Sequence, residues 1–137
     1  MRLVIAAQDI AAITFGLVDE GDVKEEKTVQ TSPEGYLAAL DQTLKEWSVT
    51  PADLRAIIVV TGPGSFTASR VSTTLANGLG FAWNVPVVGK ENSAHLPLKN
   101  LDLSALKTPE GYATPTYDRP PEITETSAKV RTPLKGL

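Results

Sequence analysis

There is no cysteine in this sequence, a single histidine, and no apolar run longer than a strand. Without thiols the chain can form no disulfide, thiolate metal site, iron–sulfur cluster or cysteine nucleophile, a composition compatible with a reducing compartment. One histidine, His95, cannot build a multi-histidine metal centre, and an ordinary loop position is its default reading. The longest apolar stretches, Leu3 to Ala7 and Ile57 to Val60, fall far short of the ~20 residues that span a bilayer. Met1-Arg2 runs straight into the first of them with no charged leader or small-residue cleavage site, so a cytoplasmic protein with no membrane segment is expected. Positive charge is also in short supply. Thirteen Lys and Arg against 16 Asp and Glu give a net charge of -3, which leaves no broad basic field to hold a phosphate backbone unaided.

What is present suits one domain: 137 residues, 42% hydrophobic and 21% charged, are too few for two cores and enough for one. Composition shifts near residue 97, beyond which Pro97, Pro109, Pro115, Pro120, Pro121 and Pro133 crowd the chain. A compact lobe over 1–96 and a proline-rich extended segment over 97–137 are expected, the latter only partly ordered after about residue 106, because proline removes backbone donors. Lys129, Arg131 and Lys135, with no acid after Glu125, make its end the one locally basic piece. A solvated tail is the default, and contact with RNA or an acidic partner the alternative.

Within the lobe, Leu3 to Ala7, Ile13 to Val18 and Val23 to Val29 read as three strands joined by turns at Gln8-Asp9 and Glu20-Gly21-Asp22, the third a solvated edge. The acidic residues Asp19, Glu20, Asp22, Glu25 and Glu26 guard that edge. Ser32 can cap the backbone amides of a helix that starts at Pro33-Glu34, and Tyr36, Leu37, Leu40, Leu44 and Trp47 draw one buried stripe as far as Trp47. Thr50-Pro51-Ala52-Asp53 has room for a single turn before Ile57-Ile58-Val59-Val60, which reads as a strand covered on both faces. A long helix from Phe66 to about Asn84 and a short strand at Val85 to Gly89 follow. The order predicts an α/β fold, a mixed sheet with flanking helices.

The long helix carries most of the information. At 100° per residue Val71, Leu75, Leu79 and Ala82 share a narrow arc that should press on the sheet. Beside it Ala68, Ser72, Ala76 and Gly80 form a stripe of small residues, suited to close backbone approach by the neighbouring helix of the same chain or by a partner subunit. Phe81 falls on the far face with Arg70 and Asn77, which favours the partner. Ahead of the helix, Gly62-Pro63-Gly64-Ser65 sits where a strand ends and a helix begins, a place at which backbone amides can cradle phosphate. It fits neither the Walker loop nor the dinucleotide fingerprint, and a glycine turn capped by Ser65 or Thr67 is the plainer reading. Asp9 could hold a metal or polarise water, but no second acid is placed to pair with it.

Val59-Val60-Thr61-Gly62-Pro63-Gly64-Ser65-Phe66-Thr67 with Arg70, then Pro86-Val87-Val88-Gly89, and finally Pro115-Thr116-Tyr117-Asp118-Arg119-Pro120-Pro121 resemble the TsaB family, formerly called YeaZ. The resemblance covers residues 1 to about 96 and about 112 to 124. The second lobe that members carry is replaced by Glu91 to Gly111, as in a one-lobed version. It implies a ribonuclease-H-like single lobe of the actin-like ATPase fold. It also implies a non-catalytic subunit, with no cofactor or metal of its own, that dimerises through amino-terminal-lobe helices. Such a subunit supports a TsaD paralogue that transfers threonylcarbamoyl to adenosine of tRNA, together with the ATPase TsaE; tRNA would be met only indirectly. Ala68, Ser72, Ala76 and Gly80, with Arg70 and Phe81, map onto the helical interface, while Gly62, Gly64, Ser65 and Thr67 form the turn and cap. Two departures stand out: Ala7-Gln8-Asp9 replaces the family's Asp-Thr-Ser at the end of the first strand, and Ala68 replaces a glycine. The alternative function, a nucleotide-dependent actin-like enzyme or a glycoprotease-type hydrolase, is opposed by the missing first-strand aspartate and the missing histidine pair.

Overall fold

The strand-sized apolar runs close into one five-stranded sheet in a computed structural model, which describes residues 1–101 and 103. The strands are β1 (Arg2–Ala6), β2 (Ala12–Asp19), β3 (Asp22–Gln30), β4 (Ala56–Gly62) and β5 (Val87–Glu91), with helices α1 (Tyr36–Glu46) and α2 (Phe66–Trp83). Their spatial order is β3-β2-β1-β4-β5. β1 pairs antiparallel with β2 and parallel with β4, so Leu3 stands between Leu17 and Ile57. β2–β3 is a hairpin turned by Glu20 and Gly21, both at positive φ (54 and 85). The mixed α/β sheet with flanking helices and its solvated edge strand β3 are as the sequence predicts, and β4 is buried at every position.

Period-two alternation sorts the strands onto two faces. Leu3, Ile5, Ile13, Phe15, Leu17, Ile57 and Val59 meet the helices through Tyr36, Leu40, Leu44, Ala68 and Ala76. Val4, Val18 and Ile58 face the other way and are covered by Leu98 and Leu103. There the Cδ1 of Leu98 lies so close over Gly16 that a Cβ on that glycine would come within 2.8 Å of it. The chain after Pro97 therefore begins as part of the lobe. The Pro115–Pro121 motif and the basic residues Lys129, Arg131 and Lys135 lie outside the described residues.

Three sequence expectations about the helices need correction. Ser32 does not cap: its hydroxyl donates to the Glu34 carboxylate at 2.9 Å, and the first turn, Pro33–Gly35, is a 3-10 turn ahead of α1. Leu37 is 58% exposed because it lies a full 100° from Tyr36, and Thr43 takes a buried position in its place. The third correction concerns α2. Ala68, Ser69, Ser72, Thr73, Ala76 and Gly80 are the buried positions, whereas Val71, Leu75 and Leu79 are half-buried flanks and Ala82 is exposed. A Cβ on Gly80 would collide with Cγ2 of Val87 and sit 3.0 Å from the Val85 carbonyl. Helix and strand are thus too close for large side chains between them, and the larger residues wedge in from the sides.

Candidate functional site

The glycine turn leaves β4 with Gly62 at φ 117 and a cis Gly62–Pro63 bond. Gly64 packs on the loop after β1, where a Cβ would fall 2.6 Å from the Gln8 carbonyl and 2.8 Å from its Cβ, so only glycine fits. The Ser65 amide donates to that same carbonyl at 2.9 Å, and the Ser65 hydroxyl accepts from the Ala68 amide at 3.2 Å. Ser65 is therefore the α2 cap. Thr67 is exposed on the first turn of the helix.

Gln8 then links three strand ends. Its Nε2 donates to the carbonyls of Pro63 (2.6 Å) and Asn92 (2.9 Å), which uses both amide hydrogens, and its Oε1 accepts from Asn92 Nδ2 at 3.1 Å. Asn92, only 5% exposed, donates its backbone amide to Gly62 and exchanges side-chain bonds with the main chain of Leu96 at 2.9 Å each way. Residues that follow β1, β4 and β5 are thus clasped by neutral amides at the carboxyl ends of parallel strands, the edge where open α/β sheets bind ligands. Gln8 was visible in the sequence as a departure from a family motif. Asn92 was not singled out, although asparagine just after a strand is a known turn-former that bonds its own backbone.

The remaining candidates are dispersed. Asp9 is exposed, and its Oδ1 accepts from the Ala11 amide at 2.9 Å. His95 lies exposed in the loop after β5, its amide bonded to the Asn92 carbonyl. Among the described residues no three His, Asp or Glu side chains are grouped to hold a metal ion, and no helix is long and apolar enough to cross a membrane. On α2 the expected interface residues part company. Ala68, Ser72, Ala76 and Gly80 are buried against the chain's own sheet, so the small stripe packs internally, on strands rather than on the neighbouring helix. Arg70 and Phe81 are on the outside, Phe81 at 91% exposure. The Arg70 guanidinium lies 5.5 Å from the Phe66 ring centroid beside a groove of about 310 Å³ lined also by Thr67, Val71 and Thr74.

Tyr36, buried where α1 begins, has its phenol pKa raised above 10.0 by burial and, secondarily, by the charge of Asp9. A raised acid pKa favours the neutral form in the folded state. That stability is complete below the unfolded value near 10 and is lost as pH climbs through the higher folded value. Alkaline loss of stability is therefore expected to set in above pH 10 with Tyr36 ionising only above its ordinary value, and Tyr36→Phe is expected to fold and to blunt that loss. Absorbance at the tyrosinate band, read beside circular dichroism across the same pH range, checks it.

A three-on-two mixed sheet, with one helix leaving an interior strand through a glycine turn, defines a ribonuclease-H-like lobe of the actin-like kind. Residues 23–109 match the family described as "TsaD: tRNA N6-adenosine threonylcarbamoyltransferase", and the chain belongs to that family. Among solved structures, YeaZ from Pseudomonas aeruginosa is similar in fold, with a TM-score of 0.58 at 24% identity over 66% of this chain. A structure described as an uncharacterized protein with similarity to peptidase YEAZ, from the same organism, gives the same values. This chain spans 43% of the length of each. The resemblance to the TsaB (YeaZ) family read from Val59 to Thr67 with Arg70, and from Pro86 to Gly89, is borne out.

Proposed function

We propose that this chain is a non-catalytic interaction subunit in threonylcarbamoyl modification of tRNA, docking to a TsaD-type catalytic subunit, in a system that includes a TsaE-type ATPase, and pairing with itself when that partner is absent. Family membership supplies the process. The observation that carries the docking role is the outer face of α2, where the exposed Phe81 and the Phe66–Arg70 pair stand on a helix whose inner face is fixed to the sheet. Aromatic and arginine side chains are the residue types that anchor protein interfaces. The Gln8–Asn92 clasp fits the same reading, since it engages the strand-end polar groups with one another rather than presenting an acid for metal or phosphate chemistry.

Phe81→Asp combined with Arg70→Glu is expected to leave the fold intact, both residues being exposed, and to weaken capture of the TsaD-type subunit about tenfold or more. Sedimentation and a pull-down against that subunit read the effect. An ATP titration of the isolated chain tests the enzymatic alternative. Turnover that survives removal of the partner, together with unchanged capture by the double variant, would replace the proposal with that alternative.

A further inference from the structure

At the end of the sheet opposite the glycine turn, a cleft of about 360 Å³ opens between the β2–β3 hairpin and the start of β4. Met1, Arg2, Val18, Asp19, Glu20, Gly21 and Arg55 line it. Its size is at the lower end of the roughly 300–1,000 Å³ typical of small-molecule sites. Val18 gives a buried apolar floor, and the Arg55 amide, bonded to the Met1 carbonyl at 2.8 Å, ties one wall to the strand next to it. Arg2 adds positive charge at the margin, where its guanidinium donates to the Leu103 carbonyl at 3.4 Å.

Charges of opposite sign line this cleft without neutralising each other. Arg55 stands at the entry to β4 and Asp19 and Glu20 on the hairpin, yet among the described residues none of the three takes part in an ion pair. Glu20 also holds a left-handed φ of 54, a conformation that asparagine, aspartate or glycine adopts more readily in a two-residue hairpin. A purely anionic ligand would meet the two carboxylates, and a purely cationic one would meet the guanidinium. A small molecule bearing both charges satisfies both sides. We infer that this cleft binds a small zwitterion of the free α-amino acid class, its carboxylate on Arg55 and its ammonium between Asp19 and Glu20. Charge-assisted hydrogen bonds of this kind are the stronger ones available to a side chain.

The inference is independent of the docking role. Its test follows the backbone amide resonances of Gly21 and Arg55 in the full chain during titration with alanine, alaninamide and N-acetylalanine. Alanine is expected to saturate in the millimolar range, with each blocked analogue at least about tenfold weaker. Arg55→Gln should bring alanine down to the level of alaninamide, and Asp19→Asn with Glu20→Gln down to that of N-acetylalanine; all three residues are exposed, so the variants fold. Equal binding of the three compounds, no saturation by alanine at tens of millimolar, or variants that bind alanine as the parent does would each overturn it.

Discussion

Gly80→Leu is expected to unfold the lobe rather than to loosen an assembly. The first added atom, Cβ, already meets Cγ2 of Val87 and the Val85 carbonyl, and the segment that would have to retreat is anchored on both sides. The Val85 amide bonds the Gly80 carbonyl at 3.0 Å, and the Ile57 amide bonds the Pro86 carbonyl at 2.9 Å. Inserting methylenes into a packed site costs about 1–3 kcal/mol where neighbours can adjust. Here they are main chain and a fully buried valine, so the upper end or beyond is expected, a large share of the roughly 5–15 kcal/mol that holds a domain together. Ala76→Leu acts in the same direction, since Ala76 has no exposed surface. Urea unfolding followed by circular dichroism should show the midpoint falling with little change in slope. An unchanged midpoint for Gly80→Leu would mean that helix and strand stand further apart than described.

Leu98→Ala is the second large effect. Leu98 and Leu103 are 3% and 1% exposed and together roof the sheet face made by Val4, Val18 and Ile58. Truncating one such side chain costs about 2–5 kcal/mol, and collapse around the gap is limited because Gly16, directly beneath, has no side chain to move into it. Ending the chain at residue 96 removes both leucines and is expected to abolish cooperative unfolding. Thermal melts of the point variant and of the shortened chain, compared with the full chain, decide the matter; a shortened chain that melts like its parent would show that this face needs no cover.

The central strands were legible because Leu3 to Ala7 and Ile57 to Val60 are short, unbroken apolar runs bounded by turn residues, the pattern of strands covered on both faces. The Ser65 cap was legible for a related reason, being a short-range pattern of one polar residue before an apolar helix. β5 starts two residues later than read, at Val87, because α2 ends on Asn84 in the left-handed conformation and the Val85 amide is spent capping Gly80. The buried face of α2 was misread since hydropathy ranks Leu75 and Leu79 above Ala76 and Gly80, while closeness to the sheet ranks them in reverse. The Gln8–Asn92 clasp could not be read at all: two neutral amides 84 positions apart announce nothing until parallel strands bring their ends together.

The strand order also dictates a timetable for synthesis. β1, β2 and β3 can fold back on one another as soon as they emerge, because their pairings are between neighbours in the chain. The other margin of β1, Arg2 through Ala6, must wait for Ala56 through Val60, and the Gln8–Asn92 bonds wait longer still. Until then a nascent chain presents Leu3-Val4-Ile5 as an open sheet edge, the kind of template on which unrelated strands assemble. Non-local parallel pairing is intrinsically slow. The sheet's most apolar strands are therefore its last to be joined, and it is during translation, more than in the finished fold, that this protein has most to gain from a chaperone.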